Sequence, residues 1–150
     1  MNWETLVTQE ENRLYRTALA ILGNPSEAQD AVQEAFLAFL EKAPADLESP
    51  GAWLMRVLVN GCKSRLRLRW RRPTVPLWEE LPAPSPEERE ELEELYALPP
   101  QDRVVIHLHY YEGYYTQEIA QLLHCRPGTV RSRLSRARER LRRLLGGDFQ

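Results

Sequence analysis

Residues 114–145 read YYTQEIAQLLHCRPGTVRSRLSRARERLRRLL, and their spacing decides how the second half of the chain folds. Thr116 is placed to cap a short helix whose Ile119, Ala120, Leu122 and Leu123 share a buried side, because its hydroxyl can accept a bond from an orphan backbone N–H. His124, Cys125 and Arg126 form a turn. Pro127 has no N–H to lose and suits the first position of a second helix, along which Val130, Leu134, Ala137, Leu141 and Leu144 recur at intervals of three and four. Arg126, Arg131, Arg133, Arg136, Arg138, Arg140, Arg142 and Arg143 fill the rest of this segment, opposed within it by Glu139 alone. A merely solvated helix mixes both signs as i,i+4 pairs, and this one barely does. The arrangement fits a helix-turn-helix, whose first helix braces while the second lays its polar side chains into the major groove. Gly128, so near a helix start, costs on the order of 1 kcal/mol of propensity. It points to close packing of the two helices or to close approach of backbone to a phosphate.

Around this stretch the charge is laid out in blocks. The chain has 150 residues, 43% of them hydrophobic, which is enough for one ordinary domain or two small ones. A net charge of -2 speaks against a uniformly basic nucleic-acid binder, yet the sum conceals alternation. Residues 1–55 carry nine acids against three bases, and Arg56–Arg72 carries seven bases and no acid. Residues 79–94 hold eight glutamates against Arg89, and the arginine-rich helix follows. Two basic patches divided by an acidic connector suit two contacts on one long polyanion.

In the first block, Trp3, Leu6, Val7, Leu14, Tyr15, Ala18, Leu19 and Leu22 describe a helix with one apolar face, ended by Gly23 as a left-handed cap. Asn24, Pro25 and Glu27 resemble a capping box opening a second helix, whose stripe is Ala28, Ala31, Val32, Ala35, Phe36, Phe39 and Leu40. Its other face shows Asp30, Gln33, Glu34, Leu37 and Glu41. A single exposed leucine is ordinary, but one among carboxylates also suits a partner's helix. After the loop of residues 43–51, Ser49 and Pro50 start a third helix running to about Arg72, with Trp53, Leu54, Val57, Leu58 and Cys62 facing inward. Arg56, Asn60, Lys63, Arg67 and Arg71 align on its opposite side at helical spacings. Trp70 lies among arginines, where an aromatic either packs on a neighbouring domain or stacks on an unpaired base.

Proline-rich residues 73–86, around Trp78, read as a semi-extended linker. An acidic helix is expected from Glu87 to Leu98, broken by Pro99 and Pro100, then a helix from Gln101 to Glu112 with Val104, Val105, Leu108 and Tyr111 available for burial, ended by Gly113. No stretch reads as a strand and no repeat is visible, so the fold class is all-α, with two small helical domains, at 1–72 and 87–150, joined by a Pro/Glu-rich linker. Cys62 and Cys125 make no disulfide framework, no apolar run reaches membrane-spanning length, and MNWETLVTQEENR lacks the features of a signal peptide. The expected compartment is therefore the cytoplasm, without a membrane role. His107 and His109 are two apart and point to different faces, so with His124 and Cys125 they form no metal site.

Three segments, in this order, are similar to those of bacterial RNA polymerase sigma factors of the compact extracytoplasmic-function group, and the likeness covers nearly the whole chain. DAVQEAF (Asp30–Phe36) resembles the core-polymerase-binding helix. AWLMRVLVN (Ala52–Asn60), with the bases that follow, resembles the helix that recognises the promoter −10 element. LPPQDRVVIHLHYYEGYYTQEIAQLLHCRPGTVRSRLSRARERL (Leu98–Leu141) resembles the −35-binding domain. The resemblance implies that Asp30, Gln33, Glu34 and Leu37 contact core polymerase. Residues 43–51 would shape a pocket for a flipped base, with Asn60 as a polar contact, and Arg56, Lys63, Arg67 and Arg71 would lie along −10 DNA. Thr116, Gln117, Arg131, Ser132, Ser135 and Arg136 would face the −35 element, Arg131 and Arg136 as base readers. The implied partners are core polymerase, promoter DNA and an anti-sigma factor or other regulator.

Two other function classes compete. A polymerase-independent helix-turn-helix regulator would bind duplex tightly by itself, usually as a dimer, and the sequence offers no coiled coil for that. An enzyme would need more than Asp30 and Glu34 one turn apart; no nucleophile, phosphate loop, metal cluster or cofactor motif accompanies them. A further expectation is that Glu79, Glu80, Glu87, Glu88, Glu90, Glu91, Glu93 and Glu94 fold back on the basic helices and weaken DNA binding by the free subunit in a salt-sensitive way.

Overall fold

The computed structural model describes residues 2–70 and 97–144, without the side chains of Arg69, Trp70 and Leu144. The expectations for Arg71, the linker at 73–86, Trp78, the eight connector glutamates, the acidic helix before Ala97, and the side chains of Trp70 and Leu144 lie outside the described residues. Among the described residues every regular element is helical. The chain divides into two units, Met1–Pro82 and Ala83–Gln150.

The first unit is a three-helix packing of α1 (Trp3–Leu22), α2 (Pro25–Lys42) and α3 (Pro50–Trp70). Each start is capped by a short polar side chain that satisfies a first-turn donor. Asn2 Oδ1 accepts from the Glu4 N–H at 2.9 Å, Asn24 Oδ1 from Glu27 at 3.2 Å, and Ser49 Oγ from Ala52 at 3.2 Å. Gly23 ends α1 in the left-handed region at φ 71°, its N–H donating to the Leu19 carbonyl, as its position after the stripe predicts.

Each helix packs on both others. Leu14, Ala18, Leu22, Ala28, Ala35, Leu54, Leu58 and Cys62 fill the shared core. Phe36, Trp3, Phe39 and Trp53 form, in that order, an aromatic chain across all three helices, with successive centroids 5.7, 6.0 and 5.6 Å apart. Arg13 donates to the Glu10 carboxylate and to the Gly51 carbonyl, tying α1 to the first turn of α3. A Cβ on Gly51 would fall 2.5 Å from Glu10 Oε1, so a larger residue there would push the Glu10 side chain aside.

Two expectations for this unit are corrected. Leu40 is exposed rather than part of the α2 stripe. One residue on from Phe39 it is turned about 100° away, where the aromatic chain no longer covers it. On α3 the buried face is wider than expected and includes Met55 and Val59, because two neighbouring helices cover it.

The second unit contains α4 (Pro100–Ile106), a π turn (His107–Tyr111), α5 (Thr116–Leu123) and α6 (Pro127–Leu144). Its core is Leu98, Val104, Val105, Leu108, Ile119, Leu123, Val130, Leu134, Ala137 and Leu141. α6 packs against both α4 and α5. The expected continuous helix to Glu112 changes pitch midway: the Glu112 N–H donates to the His107 carbonyl at 3.1 Å, an i→i+5 bond. A π turn holds about one residue more than an α turn, so later positions lag by roughly a quarter turn. Tyr111, expected inside, is consequently exposed. Gly113, at φ 75°, then lets the chain reverse, and the Tyr114 N–H bonds the Leu108 carbonyl.

Thr116 is the first helical residue of α5 rather than its cap. Tyr115 holds the cap position, and the Glu118 carboxylate reaches back to accept its N–H at 2.8 Å. A glutamate at the third helical position supplies this bond whatever side chain the cap residue carries. Leu122, expected on the buried side, is half-exposed, as is Cys125 in the turn.

Candidate nucleic-acid and protein interfaces

The turn between α5 and α6 is built on His124, which adopts the left-handed conformation at φ 55° and donates its N–H to the carbonyls of Ala120 and Gln121. The Arg126 carbonyl then accepts from Thr129 and Val130, so α6 begins at Pro127 as the sequence predicts. Burial of Val130, Leu134, Ala137 and Leu141 against the unit fixes the rotation of α6. That rotation turns Arg131, Ser132, Ser135 and Arg136 outward, while Gln117 is exposed and Thr116 half-exposed at the start of α5.

The arginines of α6 are unequal. Arg136 and Arg140 lie 3.5 and 3.6 Å from the two carboxylate oxygens of Asp102, whose side chain is 2% exposed. Arg138 Nη1 donates to the Tyr110 hydroxyl at 2.9 Å, and Arg142 and Arg143 pair with Glu139. Arg126, Arg131 and Arg133 make no ion pair with any described residue. Of the two arginines read as base contacts, Arg131 is thus uncommitted and Arg136 is held. Gly128 is exposed, and a Cβ there would meet only the tip of Arg131, at 3.7 Å. Close helix packing therefore does not explain this glycine.

In the first unit, the face of α2 opposite its buried stripe presents Asp30, Gln33 and Glu34 around Leu37, which is 57% exposed. Glu34 accepts from Arg65 Nη2 of α3 at 2.6 Å. Beside Gln33 a cleft of about 430 Å³ opens between α1 and α2, lined by Glu11, Asn12, Tyr15, Gln29 and Val32. On α3, Arg56 and Arg67 are exposed and Asn60 and Lys63 half-exposed, four positions sharing one side. Beneath them Cys62 is sealed in the core, and loss of solvent pushes its thiol up from an ordinary 9.0 to about 12, against a smaller opposing pull from Arg65.

Sequence reasoning missed Asp102, Tyr110 and Arg65 as partners of these surfaces. For Asp102 a signal was present: it is the one acid between Glu94 and Glu112, just ahead of a helix with many more cations than anions. His107 is also buried, with Nε2 3.2 Å from Glu112 Oε1, and His109 Nδ1 is 3.1 Å from the Tyr114 carbonyl. Those neighbours give both rings structural roles. Among the described residues no three His, Cys, Asp or Glu side chains converge as a metal site, and no helix is long and apolar enough to cross a membrane.

An acid-faced helix bundle followed in one chain by a helix-turn-helix with a cationic second helix defines a two-part DNA-binding protein. Residues 6–72 match the family described as Sigma-70 region 2, and residues 89–141 match Sigma-70, region 4. The chain is 32% identical to the ECF RNA polymerase sigma factor SigM of Mycobacterium tuberculosis, across 96% of this chain and 77% of that protein. It is 35% identical to the probable RNA polymerase sigma factor RfaY of Xanthomonas campestris pv. campestris, across 91% of this chain but 38% of that longer protein. The fold is like that of the sigma factor RpoE of Bartonella quintana, solved in complex with the anti-sigma factor NepR, with a TM-score of 0.74, 24% identity and 97% of each chain covered. The chain belongs to the extracytoplasmic-function (ECF) RNA polymerase sigma factors.

Proposed function

We propose that this chain directs promoter-specific initiation by docking on core RNA polymerase through its first unit and placing both units on promoter DNA. The exposed α2 face carries the reading: Asp30, Gln33 and Glu34 surround an exposed Leu37, the composition expected where an apolar anchor sits inside a charged rim. In this reading residues 1–72 form the polymerase- and −10-binding domain, 73–86 the linker, and 87–150 the −35-binding domain. Arg56, Asn60, Lys63, Arg67 and Arg71 run along −10 DNA. Thr116, Gln117, Ser132 and Ser135 position the phosphate backbone of the −35 element while Arg131 and Arg136 read bases. The bare Cα of Gly128 suits a backbone passing close to a phosphate at the start of α6. The chain performs no chemistry of its own, works in the cytoplasm, and is regulated by a protein that covers the α2 face, as an anti-sigma factor would.

The test is transcription with core polymerase and a randomised promoter library. Combining Asp30→Arg with Gln33→Ala removes promoter-directed transcripts while leaving the helix content unchanged. Normal transcripts from the double variant reject the assignment.

A further inference from the structure

Asp102 is a carboxylate buried at the base of α4, and its two partners are both arginines of α6. Its side chain is 2% exposed, whereas Arg136 and Arg140 are 56% and 49% exposed. The anion is thus sealed in the unit while the cations that neutralise it stand at the surface. A buried carboxylate stripped of every counter-charge is strongly unfavourable, so one arginine has to stay. Two arginines share this one, each on a different oxygen and each at a loose 3.5 to 3.6 Å. One of them can therefore leave while the other continues to neutralise Asp102. Arg136 and Arg140 are four apart, one turn of helix, so they reach the same carboxylate from successive levels of α6.

We propose that Asp102 is a positioning residue for promoter recognition: it holds Arg136 on the outer face of α6 in the free chain and releases it to a base edge, with Arg140 keeping the carboxylate paired. This rests on the promoter reading of the second unit. Sequence-independent DNA offers phosphates alone, and exchanging Asp102 for a phosphate gains Arg136 little. A matching base edge offers a bidentate acceptor pair and draws the guanidinium across. Asp102 thereby suppresses indiscriminate binding and favours the matching site.

The experiment compares Asp102→Asn with Glu139→Gln in the full chain bound to core polymerase, on promoter duplex and on duplex with a scrambled −35 element. Glu139 also pairs with two arginines of α6 and serves as the control for loss of one negative charge. Asp102→Asn is expected to strengthen binding to scrambled duplex, to steepen the dependence of log K on log salt by about one unit, and to lower promoter discrimination about tenfold. Glu139→Gln is expected to leave discrimination unchanged. A role confined to folding would weaken both complexes together and would not steepen the salt slope. A readout on the unaltered chain stands apart from any folding defect: the carboxyl 13C resonance of Asp102 is expected to move when −35 duplex is added, and to move less with scrambled duplex. Equal discrimination by the parent and Asp102→Asn, equal loss in both variants, or an Asp102 resonance that responds to neither duplex overturns the inference while leaving the promoter reading intact. Failure of the parent with core polymerase to prefer promoter DNA overturns both.

Discussion

The core of the first unit is mostly hydrocarbon, with its Arg13–Glu10 pair only partly covered, whereas the second seals the Asp102 carboxylate inside. Between α2 and α3 the ion pair is Arg65–Glu34, with the glutamate 63% exposed, while the core beneath is leucine, alanine, methionine, cysteine and aromatic rings. Between α4 and α6 the pairs converge on the sealed Asp102, and His107 and Glu112 face each other nearby, both buried. Three helices of 20, 18 and 21 residues can cover one another with apolar faces. Helices of 7 and 8 residues beside one of 18 supply less apolar area, and polar anchors fix how they meet. The first unit therefore tolerates changes of charge and resists changes of volume, and the second is the more sensitive to charge.

Cutting volume in the first unit tests that contrast most severely. Leu58→Ala, at a position 1% exposed, is expected to cost about 2–5 kcal/mol, read as faster exchange of the most protected amides in α1, α2 and α3. A loss below about 1 kcal/mol would break the comparison, because it would mean that the first core is loosely packed.

Alkaline pH gives an effect that is smaller for each pH unit and has a defined sign. Cys62 keeps its proton in the folded chain up to about pH 12, while the unfolded chain releases it near 9.0. Its contribution is therefore fully present below pH 9 and is lost as pH rises toward 12, at about 1.4 kcal/mol per pH unit. Cys62→Ala should flatten the stability profile between pH 9 and 11 by that slope. Parallel profiles for parent and variant would show that the thiol is not sealed from solvent.

The smallest effect is expected at the surface pair. Glu34→Gln should change stability by less than about 1 kcal/mol, since an exposed ion pair is screened and its partners are ordered at an entropic cost. The same substitution should nonetheless weaken core polymerase binding in a pull-down. A large stability loss with unchanged binding would reverse the roles of the two units.

The helices were legible wherever one period held from cap to cap. Asn24 with Pro25, Ser49 with Pro50, and Gly23 after Leu22 mark boundaries by local chemistry, and the structure places helix ends there. Illegible positions were those at which something distant intervenes. Tyr111 misled because the preceding turn changes pitch, which hydrophobic spacing cannot announce. Met55 and Val59 looked peripheral because a one-face reading assumes one neighbour. The outward residues of α2, α3 and α6 could be named from spacing alone. Which arginine was tethered could not, because Asp102 is 34 residues from Arg136 and meets it only after the chain has reversed twice.

Gly128 leaves a final consequence. The volume beside its Cα holds only the tip of a flexible arginine, so alanine would fit there without displacing the fold. The folded unit forgoes helix propensity at that residue and gains no contact among the described residues in exchange. Among the described residues nothing favours a hydrogen atom over a methyl group at position 128, so Gly128→Ala should leave the stability of the second unit unharmed, and a loss of DNA binding with that substitution would trace the outline of a body met there.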